Sequence, residues 1–155
     1  MNLSKILLCI IISPMKNTYK TSHHKSFAFN SQRILLAEDD DEMRALLAQS
    51  LHKAGYEVIE FSNGTSLFYD ISFSLLVDEE YDKVDLIVSD VRMPGKSGIE
   101  ILENLHDIDR FPPIILITAF GDEKIHAMAE RLGVAAMFDK PFDIDDLVAK
   151  VREVI

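Results

Sequence analysis

Apolar residues recur along the chain in two alternating rhythms. Ile34–Ala37 is a short run of strand length that stops against acids. Over Asp41–Ala54, Met43, Leu46, Leu47 and Leu51 recur at helical spacing, and Gly55 stands just past the end as a C-cap. Glu57–Phe61 (EVIEF) predicts a strand and Asn63-Gly64 a turn. Residues 65–80 predict a helix whose buried stripe is Leu67, Phe68, Ile71, Leu75 and Leu76. Asp85–Ser89 (DLIVS) predicts a strand ending on Asp90. Met93-Pro94-Gly95 breaks the chain before a helix over Gly98–Ile108. Pro113–Thr118 (PIILIT) is a continuous apolar strand. Asp122–Leu132 predicts a helix closed by Gly133, Ala135–Phe138 a short strand, and Asp143–Ile155 a last helix with Leu147, Val148, Val151 and Val154 inward.

Strands without polar alternation are buried on both faces. Five strand–helix pairs of this kind predict an α/β fold, a doubly wound five-stranded parallel sheet with helices on both sides and right-handed crossovers. The stretch from Gly64 to Asp90 is long for one helix and a connection, so a lengthened second helix or an extra loop is expected around Val77–Val84.

Length agrees with one domain: 155 residues bury a substantial core. The net charge of −10 is unevenly spread. Residues 1–30 hold four lysines and no acid, leaving twelve bases against 26 acids in the remainder. Such a surface repels nucleic acid and anionic membrane, and suits a basic protein partner or a divalent cation. The lone Cys9 excludes an internal disulfide and fits a reducing, cytoplasmic setting. The chain divides into a tail, 1–31, and a domain, 32–155. The tail's apolar run Ile6–Ile12 is too short to span a bilayer. It is read as a disordered or weakly docked appendage, with a membrane-touching segment and a cleaved signal as the alternatives. His23 and His24 have no neighbours that complete a metal site.

In an open parallel sheet, ligands bind beyond the carboxyl ends of the strands. Glu38 and Asp39 stand after the first strand, Asp90 after the third, Thr118 after the fourth and Lys140 after the fifth. Clustered carboxylates need positive charge, and a hard cation such as Mg²⁺ takes carboxylates, water and phosphate oxygens. Lys140 adds a point charge and Thr118 a hydroxyl donor, so the set describes a phosphoryl site with Asp90 as the nucleophile. Each residue also has a plainer reading. Acids at 38–42 favour a helix N-terminus, with Asp40 or Asp41 as the cap. Asp90 can open a turn, Thr118 can end a strand and Lys140 can be a solvated lysine. Their joint occurrence at the ends of successive strands favours the site. His106 and His126 read as exposed helical residues, and Met93, Met128 and Met137 as core filler.

The segments ILLAEDDDEMR, DLIVSDVRMPGKSG, PIILITAF and the Lys-Pro-Phe of MFDKPF, in this order, resemble the receiver domain of bacterial two-component response regulators. The resemblance covers about residues 33–155. It implies the flavodoxin-like sheet order 2-1-3-4-5 and Mg²⁺-dependent transfer of a phosphoryl group from a phosphohistidine to an aspartate. By position, it implies Asp90 as phosphoacceptor, with Glu38, Asp39, Asp90 and the backbone carbonyl of Arg92 as metal ligands. Thr118, Ala119 and Lys140 would bind the phosphoryl group or switch with it, and the bond to Pro141 would be a cis peptide. Met137 departs from the family, where an aromatic ring commonly moves inward with the threonine. Phe138 should face the other side of the sheet.

The resemblance implies a sensor histidine kinase or a histidine phosphotransfer protein as donor. The expected output is a downstream protein bound through the helix 4–strand 5–helix 5 face, because the chain stops at Ile155 straight after the fifth helix. Neither direct nucleic-acid binding nor a membrane is expected, and no enzyme activity beyond self-phosphorylation and autodephosphorylation. The alternative is a pseudo-receiver that binds partners without being phosphorylated. A phosphohydrolase fits poorly, since Arg92 occupies the place of its second carboxylate.

Overall fold

The computed structural model describes residues 31–76, 84–108, 111–119 and 123–155. The expected tail and the expected insertion around Val77–Val84 lie almost wholly outside the described residues. Five strands alternate with five helices: β1 Arg33–Ala37, α1 Asp41–Lys53, β2 Glu57–Phe61, α2 Gly64–Leu76, β3 Leu86–Asp90, α3 Gly98–Leu105, β4 Ile114–Thr118, α4 Glu123–Arg131, β5 Ala136–Asp139 and α5 Ile144–Val154. The strands form one parallel sheet in the order β2-β1-β3-β4-β5. The parallel five-stranded sheet is the one expected from the apolar pattern, and its order is the one the family resemblance implies.

The pleat divides the apolar residues between two faces. Leu35, Ala37, Ile87, Ile114 and Leu116 pack with Leu67, Phe68, Ile71, Ile101, Leu102 and Ala129 on one side. Ile34, Leu36, Leu86, Val88, Ile115 and Ile117 pack with Leu47, Leu51, Leu147 and Val151 on the other. The three central strands are buried on both faces, which is why their sequences show no alternation. Truncating a core residue such as Leu36 to Ala costs about 2–5 kcal/mol.

Local chemistry sets the helix ends. Asp40 caps α1, its Oδ1 accepting from Met43 N at 2.9 Å, and Gly55 follows with φ of 100°. Ser97 and Glu100 form a capping box on α3. Asp143 caps α5 by accepting from Asp145 N at 2.9 Å.

Two details differ from the apolar pattern. Helix α3 ends at Leu105 rather than Ile108, because Ile108 N turns back to Leu105 O at 3.0 Å and Phe111 N to Ile108 O at 3.1 Å. These tighter turns lead into Pro112-Pro113, which cannot continue a helix. Leu46 is 48% exposed, since α1 turns Leu47, Ala48 and Leu51 inward instead. The side chains of Leu75 and Leu76 lie outside the described residues.

Candidate functional site

The strand order reverses between β1 and β3, so the loops leaving these two strands diverge and open a crevice at their carboxyl ends. Register then decides what faces it. Leu36 lies beside Val88 and Ala37 beside Ser89, which brings Glu38 level with Asp90. Glu38 continues the face of Ile34 and Leu36, Asp90 that of Leu86 and Val88, and Lys140 that of Ala136 and Phe138. All three therefore share one side of the sheet edge.

The contacts follow from this placement. Lys140 Nζ donates to Glu38 Oε2 at 2.8 Å and to Asp90 Oδ2 at 2.6 Å. The other oxygen of Asp90, Oδ1, accepts from the backbone N–H of Arg92 at 2.7 Å. Glu38 Oε1 accepts from Asp40 N at 3.3 Å. Glu38 is 1% exposed and Asp90 4%, whereas Asp39 is exposed. Carboxylate oxygens of Glu38, Asp39 and Asp90 all lie within 4.8 Å of one another.

Three carboxylates against one ammonium leave an excess of negative charge in a largely buried place. Burial raises the Glu38 pKa, and the nearby Asp90 charge adds to this, while the hydrogen bond from Lys140 opposes it. Burial also pulls on Lys140, downward, but its hydrogen bonds to Asp90 and Glu38 outweigh this and its pKa rises. A small divalent cation with oxygen ligands fits this donor set.

The remaining sequence candidates take the following places. Thr118 ends β4, fully buried, and its carbonyl accepts from Lys140 N at 2.7 Å. Ala119 follows it, exposed. The Arg92 side chain is exposed. Met137 is half-buried against the α2–α4 core, together with Met93 and Met128, while Phe138 faces the opposite cluster. The Lys140–Pro141 peptide is cis. His106 is exposed, and His126 Nε2 lies 3.0 Å from Asp139 Oδ1 at the end of β5.

Sequence reasoning passed over Arg44 and Gly98. Arg44 Nη1 donates to the Glu38 carbonyl at 2.8 Å and so steadies the acidic turn. A Cβ on Gly98 would lie 2.6 Å from the Asp90 carbonyl oxygen, so only glycine allows α3 to start this close to the third strand. Both residues stand inside the motif segments, but periodicity gives them no weight.

A family model of the response regulator receiver domain matches residues 34–152. The chain belongs to this family. The receiver domain is 35% identical over 124 residues to the response regulator receiver protein CpdR of Brucella abortus, covering 80% of this chain and 97% of that one. It is 31% identical over 123 residues to sporulation initiation phosphotransferase F of Bacillus subtilis, covering 79% and 93% respectively. The fold matches that of Vibrio cholerae chemotaxis protein CheY4 with a TM-score of 0.67 at 23% identity, over 81% of this receiver and 99% of that chain. Among the described residues, no helix is long and apolar enough to cross a membrane.

Proposed function

We propose that this receiver is a phosphoacceptor of a two-component phosphorelay, with Asp90 as the acceptor. The observation that carries the reading is the bridge of Lys140 between Glu38 and Asp90, with Asp39 completing a carboxylate group within 4.8 Å. Glu38, Asp39, Asp90 and the backbone carbonyl of Arg92 would hold Mg²⁺. Bound there, the ion supplies positive charge against the phosphoryl oxygens.

An Asp90 carboxylate oxygen attacks phosphorus. The new O–P bond forms as the N–P bond of a phosphohistidine breaks, and the imidazole nitrogen keeps the bonding electron pair. The Arg92 N–H and the Lys140 ammonium hold the Asp90 carboxylate in place before attack. Lys140 then pairs with a phosphoryl oxygen, Thr118 turns its hydroxyl to another, and the small Ala119 keeps the entrance open. The acyl phosphate brings about −1.5 to −2 charges to an edge already rich in acid. That charge is the signal. The domain acts on itself and has no separate product.

The donor is a sensor histidine kinase or a histidine phosphotransfer protein, in keeping with a relative named as a phosphotransferase. The output is a protein contact through α4, β5 and α5. A net charge of −10 argues against direct nucleic-acid binding. Met137 offers no flat ring to report the move of Thr118, so readout in this chain relies on other residues of that face.

Intact mass after incubation with acetyl phosphate tests the reading. One added phosphoryl group is expected, dependent on Mg²⁺ and lost in Asp90→Asn. A folded parent that gains no adduct and binds no beryllofluoride would favour the pseudo-receiver reading instead.

A further inference from the structure

The β3–α3 loop, 91–97, carries Arg92, whose N–H holds Asp90. Its base is tied to the sheet, with Val91 N donating to Ile117 O at 2.7 Å and Gly98 N to Val91 O at 3.1 Å. Its outer part rests on the start of α2, an element that supplies no residue to the site. Gly64 is buried directly beneath the loop: a Cβ there would lie 1.7 Å from the Lys96 carbonyl oxygen and 3.3 Å from Met93 Cε. Gly95, at φ of 82°, meets the other side of the same turn, since a Cβ there would lie 1.9 Å from Thr65 Oγ1. The Lys96 ammonium sits 4.5 Å from the centre of the Phe68 ring, one helical turn further along α2. Asn63 fixes the start of that helix, its Oδ1 accepting from Ser66 N at 2.8 Å. Backbone and side chain thus interlock on both sides of the turn.

We propose that Gly64 and Thr65 are positioning residues for the phosphoacceptor loop, setting where the Arg92 peptide stands relative to Asp90. The proposal rests on the receiver reading, because it gives the Arg92 carbonyl a metal to bind. Substituting Gly64 forces the Lys96 carbonyl outward, since its neighbour is backbone and cannot rotate away. The displacement passes along four residues to Arg92. Residues that orient metal ligands without touching the ion typically change affinity by about 10–100-fold when altered.

Gly55 supplies the control. It also has a positive φ, of 100°, but nothing lies within 4 Å of a Cβ placed on it. Gly55→Ala strains the backbone at the far end of α1 and leaves the loop alone. The test compares the parent, Gly64→Ala, Thr65→Ala and Gly55→Ala in the full chain. Mg²⁺ affinity is read by calorimetry, and exchange of the Arg92 amide proton by NMR in metal-free buffer. Gly64→Ala should weaken Mg²⁺ about tenfold and speed Arg92 exchange. Thr65→Ala should move both in the same direction by less, and it carries the test if Gly64→Ala does not fold. Gly55→Ala should lose stability and leave both readouts at the parent values. The proposal is overturned if Thr65→Ala and any folded Gly64→Ala match the parent, or if Gly55→Ala weakens Mg²⁺ as much as they do. A parent that binds no Mg²⁺ overturns the receiver reading and this proposal together. A parent that binds Mg²⁺, with indifferent loop variants, overturns this proposal alone.

Discussion

The two ends of the sheet carry similar charges and use them differently. At the amino end, Arg33 at the start of β1 donates from Nη2 to both oxygens of Glu57, each at 3.1 Å, and its backbone N–H donates to Asp85 Oδ2 at 2.9 Å. Burial raises the pKa of Asp70 on α2, and the charge of Arg33 opposes this. That is one cation among three acids, as at the carboxyl end. Glu57 and Asp85 engage separate parts of Arg33, and Glu57 keeps 45% of its side chain in solvent. At the carboxyl end the oxygens of Glu38, Asp39 and Asp90 converge within 4.8 Å, and two of the three are buried. The count of charges is therefore a poor guide to the site. Convergence and burial mark it, because they create a field that one lysine does not balance.

The sharpest break between the two ends should come from their cations. Lys140→Ala leaves Glu38 and Asp90 buried without their partner and should cost about 3 kcal/mol, measured by urea unfolding without Mg²⁺. Added Mg²⁺ should return part of that loss, since it stabilises the folded form by mass action. At the amino end, Glu57→Gln weakens a half-exposed pair and should cost under about 1 kcal/mol relative to the parent, the same with and without Mg²⁺. Equal losses in the two variants would mean that burial does not separate the two ends.

A finer test lies at the carboxyl end itself. Glu100 stands close to the site in sequence, but its carboxylate accepts from Ser97 N at 2.8 Å and Ser97 Oγ at 2.9 Å. These backbone and side-chain hydrogen bonds lower its pKa from the ordinary value of 4.5. Its contribution is therefore present above pH 4.5 and disappears as pH falls through the lower folded value. Glu100→Gln should cost a few tenths of a kcal/mol at neutral pH. The gap to the parent should close in acid, and Mg²⁺ affinity should not change. An altered Mg²⁺ affinity with Arg92 amide exchange at the parent value would show that a carboxylate outside the converging set also governs the ion.

Much of this was legible from the residues. The unbroken apolar runs Ile34–Ala37, Leu86–Val88 and Ile114–Ile117 announce central strands because burial on both faces removes polar alternation. Once the strands are placed, Glu38, Asp90 and Lys140 fall at their carboxyl ends without further information. Edges were harder to read. Ile59 is 37% exposed, although EVIEF reads as a strand like the others, because β2 has a neighbour on one side only. Close approach was invisible: Gly98 against the Asp90 carbonyl and Gly64 against that of Lys96 join residues with no periodic relation. Arg44 was equally silent, since its reach back to the Glu38 carbonyl depends on the angle at which α1 leaves the sheet.

The claim that convergence makes the site is tested most directly by calorimetric titration of Mg²⁺ into the parent, Asp39→Asn and Glu57→Gln. One ion should bind per parent chain. Binding should be lost in Asp39→Asn, the exposed member of the converging set, and should be unchanged in Glu57→Gln. An Asp39→Asn variant that binds Mg²⁺ as tightly as the parent, or a Glu57→Gln variant that loses it, would contradict the account.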